Sequence, residues 1–251
     1  MQPTGDQEKE EAVRRVLASL RHPARLRALR STGLLDGERV EALERVARMA
    51  AVGLGAPLAQ VNLVTDAQQV PVAAHVAPPR EAAPWRVPVG LSHSYCQLVV
   101  AGDAPMVVED APHDERVREI PATREAGIGA YLGVPLRAPD LQVLGSVCVV
   151  DFVPHRWNAE DLVLLDDLAA VAATEIALRA AGRAASEEAS QAVARTERLQ
   201  RLADELARRL GGREAARRMV AHLGEVTGAT RVAVFERAPG GALTPLDARW
   251  E

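Results

Sequence analysis

The stretch Tyr131–Asp151, YLGVPLRAPDLQVLGSVCVVD, decides the fold class. Two apolar runs flank Pro139-Asp140, a dipeptide suited to a tight turn, so the stretch reads as two β-strands joined as a hairpin. Successive strand side chains point to opposite faces, so Leu132, Val134 and Leu136 share one face while Tyr131, Gly133 and Pro135 share the other. The aliphatic face is the natural support for helices, which turns Tyr131 toward the opposite side. In the second strand Leu144, Ser146, Cys148 and Val150 are expected to share a face, and the spacing allows either face to meet the helices.

Toward the C-terminus, Asn158 and Asp161 form a capping-box-like pair that starts a long helix. One stripe of that helix, Leu162, Leu165, Leu168, Ala172 and Ile176, is suited to packing on the sheet. A second repeats every seven residues through Leu164, Val171, Leu178, Ala185, Ala192, Leu199 and Leu206, the pattern of a coiled-coil seam between two copies. The companion series is weaker, with Glu175, Gly182 and Thr196 loosening its middle. The competing reading is a solvated, alanine-rich linker helix. Gly211-Gly212 closes the helix. A further helix to about Glu225, a strand Arg231 to Phe235, a turn at Pro239-Gly240-Gly241 and one more strand hold too little core to stand alone. They read as the start of a second domain.

Toward the N-terminus, residues 7–31 read as helix interrupted at Pro23 and ended by Gly33. A helix from Gly37 to Val52 buries Val40, Leu43, Val46, Ala47 and Ala50 along one stripe and is stopped by Gly53 and Gly55. Leu58 to Thr65 alternates as a strand, with Val61 and Leu63 on one face and Gln60 and Asn62 on the other. A short strand around Val70 to His75 carries Pro71, which predicts an edge position. A proline-rich loop (77–88), a helix from Leu91 to Val100, a strand from Met106 to Glu109 and a loop (110–128) with one helical segment broken at Pro121 complete the order. Two strands, a helix, a strand, a helical loop and two strands imply an α+β domain with mostly antiparallel pairing.

Composition narrows the function classes. The 251 residues are 48% hydrophobic, enough for a packed core, and a net charge of −4 gives no global attraction to nucleic acid. Lys9 is the single lysine, so the other 29 basic residues are arginine, which reads as codon bias. Seven aromatic residues are too few for a base-stacking surface. No run approaches the roughly 20 apolar residues of a membrane span, and the polar, acidic start is unlike a signal peptide. The expected compartment is the cytoplasm, without a nucleic-acid or membrane partner.

The segments ALRSTGLLD (28–36), SYCQLVV (94–100), VVEDAPHDERV (107–117), YLGVPL (131–136), LGSVCVVD (144–151) and WNAEDLVLLDDLAAVAATEI (157–176), taken in order, resemble bacterial GAF domains. The resemblance implies a GAF/PAS-like antiparallel sheet of strand order 2-1-5-4-3 flanked by helices, with a ligand pocket on one face and a long C-terminal signalling helix. It divides the chain into a helical extension (1–21), a GAF domain (22–182), a coiled-coil linker helix (183–211) and the opening of a second GAF-like domain (212–251). GAF domains commonly sense small molecules, dimerise through flanking helices, and precede kinase, cyclase or phosphatase outputs. This chain lacks the NKFDE-type set of cyclic-nucleotide-binding members and any cysteine in an obvious bilin-attachment context. Pro71 and Val72 stand where aromatics are frequent in the second strand, and Asp140-Leu141 stands where a glycine commonly follows in the turn.

The candidate ligand-binding residues are His93, Tyr95, Cys96, Asp110, His113 and Tyr131. Cys96 beside His93 and Tyr95 reads either as a reactive thiol or as a small buried residue filling a helix–sheet contact, the commoner role of a free cysteine. Cys148, in an apolar strand, reads as core, and a single bridge between the two remains open to spacing. His75, His93 and His113 lack any paired metal-ligand spacing, so no metal or catalytic site is assigned and no cofactor is specified. Asp110, His113 and Asp114 read as a polar loop over the pocket or as ordinary turn chemistry. The functional expectation is a non-enzymatic sensor that binds a small molecule and signals through a homodimeric helix to an output domain or partner. The alternatives are a ligand-free dimerisation scaffold and a GAF-fold free methionine sulfoxide reductase.

Overall fold

The computed structural model describes residues 5–209, 212–229, 231–237 and 239–250. These divide into two compact units between Gly182 and Arg183.

The first unit begins with α1 (Gly5–Leu20) and α2 (Pro23–Ser31). Pro23 occupies the first turn of α2, where its missing N–H has no partner to lose. α3 (Glu41–Gly53) starts four residues later than the pattern predicts, because Val40 is extended and serves as its N-cap. Its predicted stripe is buried in full. Gly55, at φ +64°, ends it with the Ala56 amide bonded to the Ala51 carbonyl at 2.9 Å. β1 (Leu58–Val64), β2 (Gln68–Val76) and β3 (Val89–Gly90) follow, then α4 (Cys96–Gly102), β4 (Met106–Val108), α5 (Pro121–Glu125), β5 (Ala130–Arg137) and β6 (Val143–Asp151). Pro121 begins α5 rather than breaking a helix, again at the first turn.

The six strands form one sheet of order β3-β2-β1-β6-β5-β4, with every pairing antiparallel. It differs from the expected five-stranded order by the added two-residue β3, which pairs only with Gln68 and Gln69. β3 covers the outer edge only at Gln68 and Gln69, so at Pro71 β2 is itself the edge, as the proline predicts. Pro71 sits past that short pairing, opposite Asn62, where a bulge shifts the β1–β2 register.

The sheet separates two cores. On one face Ala59, Val61 and Leu63 of β1, Leu132, Val134 and Leu136 of β5, and Val147 and Val149 of β6 pack against α3 and the start of α6 (Ala159–Arg209). Leu165, Leu168, Ala172 and Ile176 are the buried stripe of α6, as their spacing predicts. Asn158 caps that helix reciprocally: its Oδ1 accepts from the Glu160 and Asp161 amides at 2.7 and 3.0 Å, and its own amide donates to Asp161 Oδ2 at 2.8 Å. On the opposite face Tyr131, Cys148 and Val150 pack with α4. Leu144 departs from its expected face and joins the helix-side core. The register slips between Leu136 and Arg137, so the two-residue alternation is not carried through to Leu144.

One buried side chain fixes the frame. The buried Arg25 guanidinium donates to three carbonyls, those of Leu20 (2.6 Å), Val64 (2.7 Å) and Val143 (3.2 Å). Burial holds its pKa below the usual arginine value. In the turn joining β5 to β6, Leu141 adopts φ +64° with its side chain 75% exposed.

The second unit contains α7 (Gly212–Thr227), which packs on the antiparallel hairpin of β7 (Arg231–Arg237) and β8 (Leu243–Trp250). Of the predicted seam, Val171 and Leu178 are 57% and 66% exposed. Leu199 is also exposed, and the side chain of Leu206 lies outside the described residues. Leu164 is partly exposed and closes on the α-carbon of Gly53, where a β-carbon would come within 2.8 Å of its Cδ2. No helix among the described residues is long and apolar enough to cross a membrane.

Candidate functional site

An apolar cavity of about 170 Å³ lies on the α4 face of the sheet. Its floor is formed by Gln60 of β1, Tyr131 of β5, and Cys148 and Val150 of β6. Its walls come from Tyr95 and Cys96 at the start of α4, from Ala122, Ala126 and Ile128, and from Pro84, Trp85 and Val87 of the proline-rich loop. His93 stands at the half-exposed rim, 3.4 Å from Glu125.

The local structure explains these placements. The expected helix over 91–100 is split: Leu91–His93 is a 3-10 turn and α4 starts only at Cys96. Ser94 is extended between them and buried, and its hydroxyl donates to Gln69 Oε1 at 2.6 Å while accepting from the Gln97 amide at 3.2 Å. That contact caps α4 and fixes it to β2. Gln60 reaches across to donate to the Trp85 carbonyl at 2.6 Å, holding the proline-rich loop over the cavity. Trp85 in turn meets Phe152 edge-on at 5.6 Å, and Arg80 lies over the Phe152 ring.

Tyr95 and Tyr131 pack edge-to-face, with centroids 5.3 Å apart at 64°. The Tyr95 hydroxyl bonds the Thr123 hydroxyl, and burial raises its pKa above the usual tyrosine value. The Tyr131 hydroxyl donates to Cys96 Sγ at 3.6 Å. Its ring lies back along β5 over Gly133, where a β-carbon would fall 2.2 Å from the hydroxyl oxygen. Gly133 is therefore the residue that lets Tyr131 lie flat on the floor.

Both cysteines are free and buried, and they meet here. Cys96 fills the helix–sheet contact, and Asn62 Nδ2 lies 3.5 Å from its sulfur and 3.4 Å from that of Cys148. A hydrogen bond from Cys148, aided by Ser146, Tyr131 and Asn62, brings the Cys96 pKa down to about 7 against the opposing effect of burial. The same bond, with burial, pushes Cys148 well above the usual thiol value. On the adjacent β1, the buried Asn62 Oδ1 has no hydrogen-bond partner.

Four of the expected ligand residues, His93, Tyr95, Cys96 and Tyr131, thus line one cavity. Asp110 and His113 do not. Asp110 precedes and His113 ends a 3-10 turn, Asp110 half-buried and His113 exposed, and they pair with each other at 3.0 Å, which is turn chemistry. His75, on β2, is likewise not part of the lining, and no group of three or more His, Cys, Asp or Glu among the described residues could hold a metal ion. Gln60, Asn62, Gln69 and Ser94 were missed as site residues. The signal for the first two was two amides in the middle of a strand whose other face is aliphatic, since buried amides demand partners.

No curated protein matches the chain. Several solved structures are similar to it at low identity. A GAF domain of an Acinetobacter phosphoenolpyruvate-protein phosphotransferase shares 18% identity over 66% of this chain and 99% of its own, with a TM-score of 0.45. The PixJ GAF domain of Thermosynechococcus elongatus shares 15% over 60% and 90%, with 0.47. The free methionine-R-sulfoxide reductase of Neisseria meningitidis shares 15% over 60% and 87%, with 0.44. Residues 38–176, more than half of the chain, match the model of the GAF domain, and the chain belongs to that family of sensory and regulatory modules.

Proposed function

We propose that the chain is a cytoplasmic sensor that binds a small, largely apolar molecule in the cavity and passes its state through a dimeric α6 to an output domain or partner. The cavity itself carries this reading. Its volume of about 170 Å³ is close to the ~150 Å³ of an apolar cavity that admits benzene and below the ~300–1,000 Å³ of drug-sized sites. The ligand class is then a molecule of about one ring, oriented by the few polar groups at hand, among them His93 and Gln60.

A route to α6 starts at the floor. Cys148 and Val150 lie on β6, which ends at Asp151. The Asp151 carboxylate accepts from the Phe152 amide and pairs with His155, which stacks on Trp157 at 3.9 Å. Trp157 immediately precedes the Asn158 cap. A ligand shifts this segment only if it binds the two arrangements with different affinity. The exposed Val171 and Leu178 support a seam that pairs two copies, with Leu164, Leu199 and Leu206 in the same series. Asp110 and His113 would then contribute at most from outside the cavity. Residues 212–251 are read as the opening of a second GAF-like domain, and 183–211 as the linker helix.

Native mass spectrometry of the purified full chain, alongside Ala126→Leu to fill the cavity, tests the proposal. A co-purifying small molecule on a dimer, lost in the filled variant, is the expected result. An empty dimer that shows no thermal shift with one-ring probes supports the scaffold reading, and a monomer at high micromolar concentration removes the dimer. Thiol-dependent turnover of free methionine sulfoxide would make the chain an enzyme.

A further inference from the structure

The chain has two cysteines, and the fold brings both to the lining of one cavity, Cys148 on its floor and Cys96 in its wall. They come from different elements, Cys96 from the first turn of α4 and Cys148 from the middle of β6, and these elements pack directly together. Two structural thiols in an apolar contact need no donors. Here the Asn62 amide stands within 3.5 Å of both sulfurs, and the Tyr131 hydroxyl donates to one of them. Donors fixed around a sulfur favour the thiolate, the nucleophilic form. The lowered pKa of Cys96 and the raised pKa of Cys148 agree with an attacking sulfur beside a protonated partner. Asn62 Oδ1 is without a partner, so turning the amide over would present an acceptor to a thiol proton. The same side chain can thus serve either protonation state.

We propose that Cys96 and Cys148 form a redox-active dithiol that is oxidised by a small hydroperoxide entering the cavity, closing a disulfide between α4 and β6. The Cys96 thiolate attacks the terminal peroxide oxygen, the O–O bond breaks, and the alkoxide leaves as an alcohol with the proton that Cys96 had released. Cys96 is then a sulfenic acid. Cys148 gives up its proton and attacks that sulfur, the S–S bond forms, the S–O bond breaks, and water leaves. Two thiols lose two electrons, and one hydroperoxide is reduced to an alcohol and water. The bridge would tie the helix over the cavity to the strand that leads to α6. This inference does not depend on a resident ligand, so an empty cavity in native mass spectrometry would leave it standing.

The test uses the reduced full chain and tert-butyl hydroperoxide, read by thiol counting after denaturation and by peptide mapping. Wild type is expected to lose both thiols within one chain, giving a peptide that links positions 96 and 148 and is released by dithiothreitol. Cys148→Ser, treated in the presence of dimedone, is expected to take one adduct at Cys96. Labelling of Cys148 in Cys96→Ser should be at least about tenfold slower, since thiolate supply limits the attack. Equal labelling in the two variants, bridges only between separate copies, or thiols of the folded wild type that stay reduced while the urea-unfolded chain reacts would each overturn the proposal. The wild-type linkage map decides the matter even if a serine variant does not fold.

Discussion

Gly133→Ala isolates the packing on which the cavity floor rests. The added methyl would lie 2.2 Å from the Tyr131 hydroxyl oxygen and 2.5 Å from the ring carbon that bears it, closer than carbon and oxygen can approach. Backbone relief is poor, because Gly133 is held between Met106 of β4 and Cys148 of β6 in the middle of the sheet. The ring must therefore swing off the strand. Overpacking of this kind destabilises by about 1–3 kcal/mol. Losing the edge-to-face contact with Tyr95 adds about 0.5–1.5 kcal/mol. A total of about 1.5–4.5 kcal/mol is expected as a fall in urea-unfolding free energy at unchanged m-value. The cavity is open space beside the ring, so binding of any one-ring probe should weaken in parallel. Tyr131→Leu in the Gly133→Ala background should cost much less than the two separate changes summed, because the leucine leaves the space above position 133 open. Gly133→Ala within about 0.5 kcal/mol of wild type, or strict additivity of the pair, would refute the argument.

Two further changes test other parts of the frame. The Cys96 pKa is lowered to about 7 from an unfolded value of 9.0, so between those pH values the native chain holds fewer protons at this site than the unfolded chain. Stability from Cys96 therefore rises from pH 7 to 9 and is lost as pH falls through 7. Urea midpoints of wild type and Cys96→Ser should diverge over that interval, and parallel midpoints would deny the lowered value. Leu141→Gly removes a left-handed strain of about 1–2 kcal/mol and returns about 0.5–1 kcal/mol through the freer unfolded chain, for a net gain of about 0.5–1 kcal/mol. A loss in thermal unfolding would show that the exposed leucine makes contacts worth more than the strain.

The sheet was legible wherever one rule governed a whole segment. Alternation placed Leu132, Val134 and Leu136 under the helices and Tyr131 opposite them, and the Asn158–Asp161 pair marked the start of α6 from two residues alone. Legibility failed where a single bond outweighed a pattern. Ser94 breaks the apparent helix over 91–100 because its hydroxyl bonds outward to Gln69, and a slip in pairing turns Leu144 away from its strand neighbours. The meeting of Cys96 with Cys148 was not legible at all. It depends on the register of β6 against β1 and on which side α4 packs, both set by long-range pairing rather than by spacing. The two amides of β1 were visible, yet nothing in their own sequence indicated that their partners are the Trp85 carbonyl and two sulfurs.

Arg25 lies 13 positions before the start of the matched region and is nonetheless wired into the sheet, through the carbonyls that end β1 and begin β6. Sequence families are delimited by where similarity fades, whereas a folding unit is delimited by where buried polar groups find their partners. A fragment cut at residue 38 would keep all six strands and leave the Val64 and Val143 carbonyls without the guanidinium that binds them. For anyone preparing this domain alone, the working boundary is upstream of Arg25, and α2 is part of the folded domain rather than a tail attached to it.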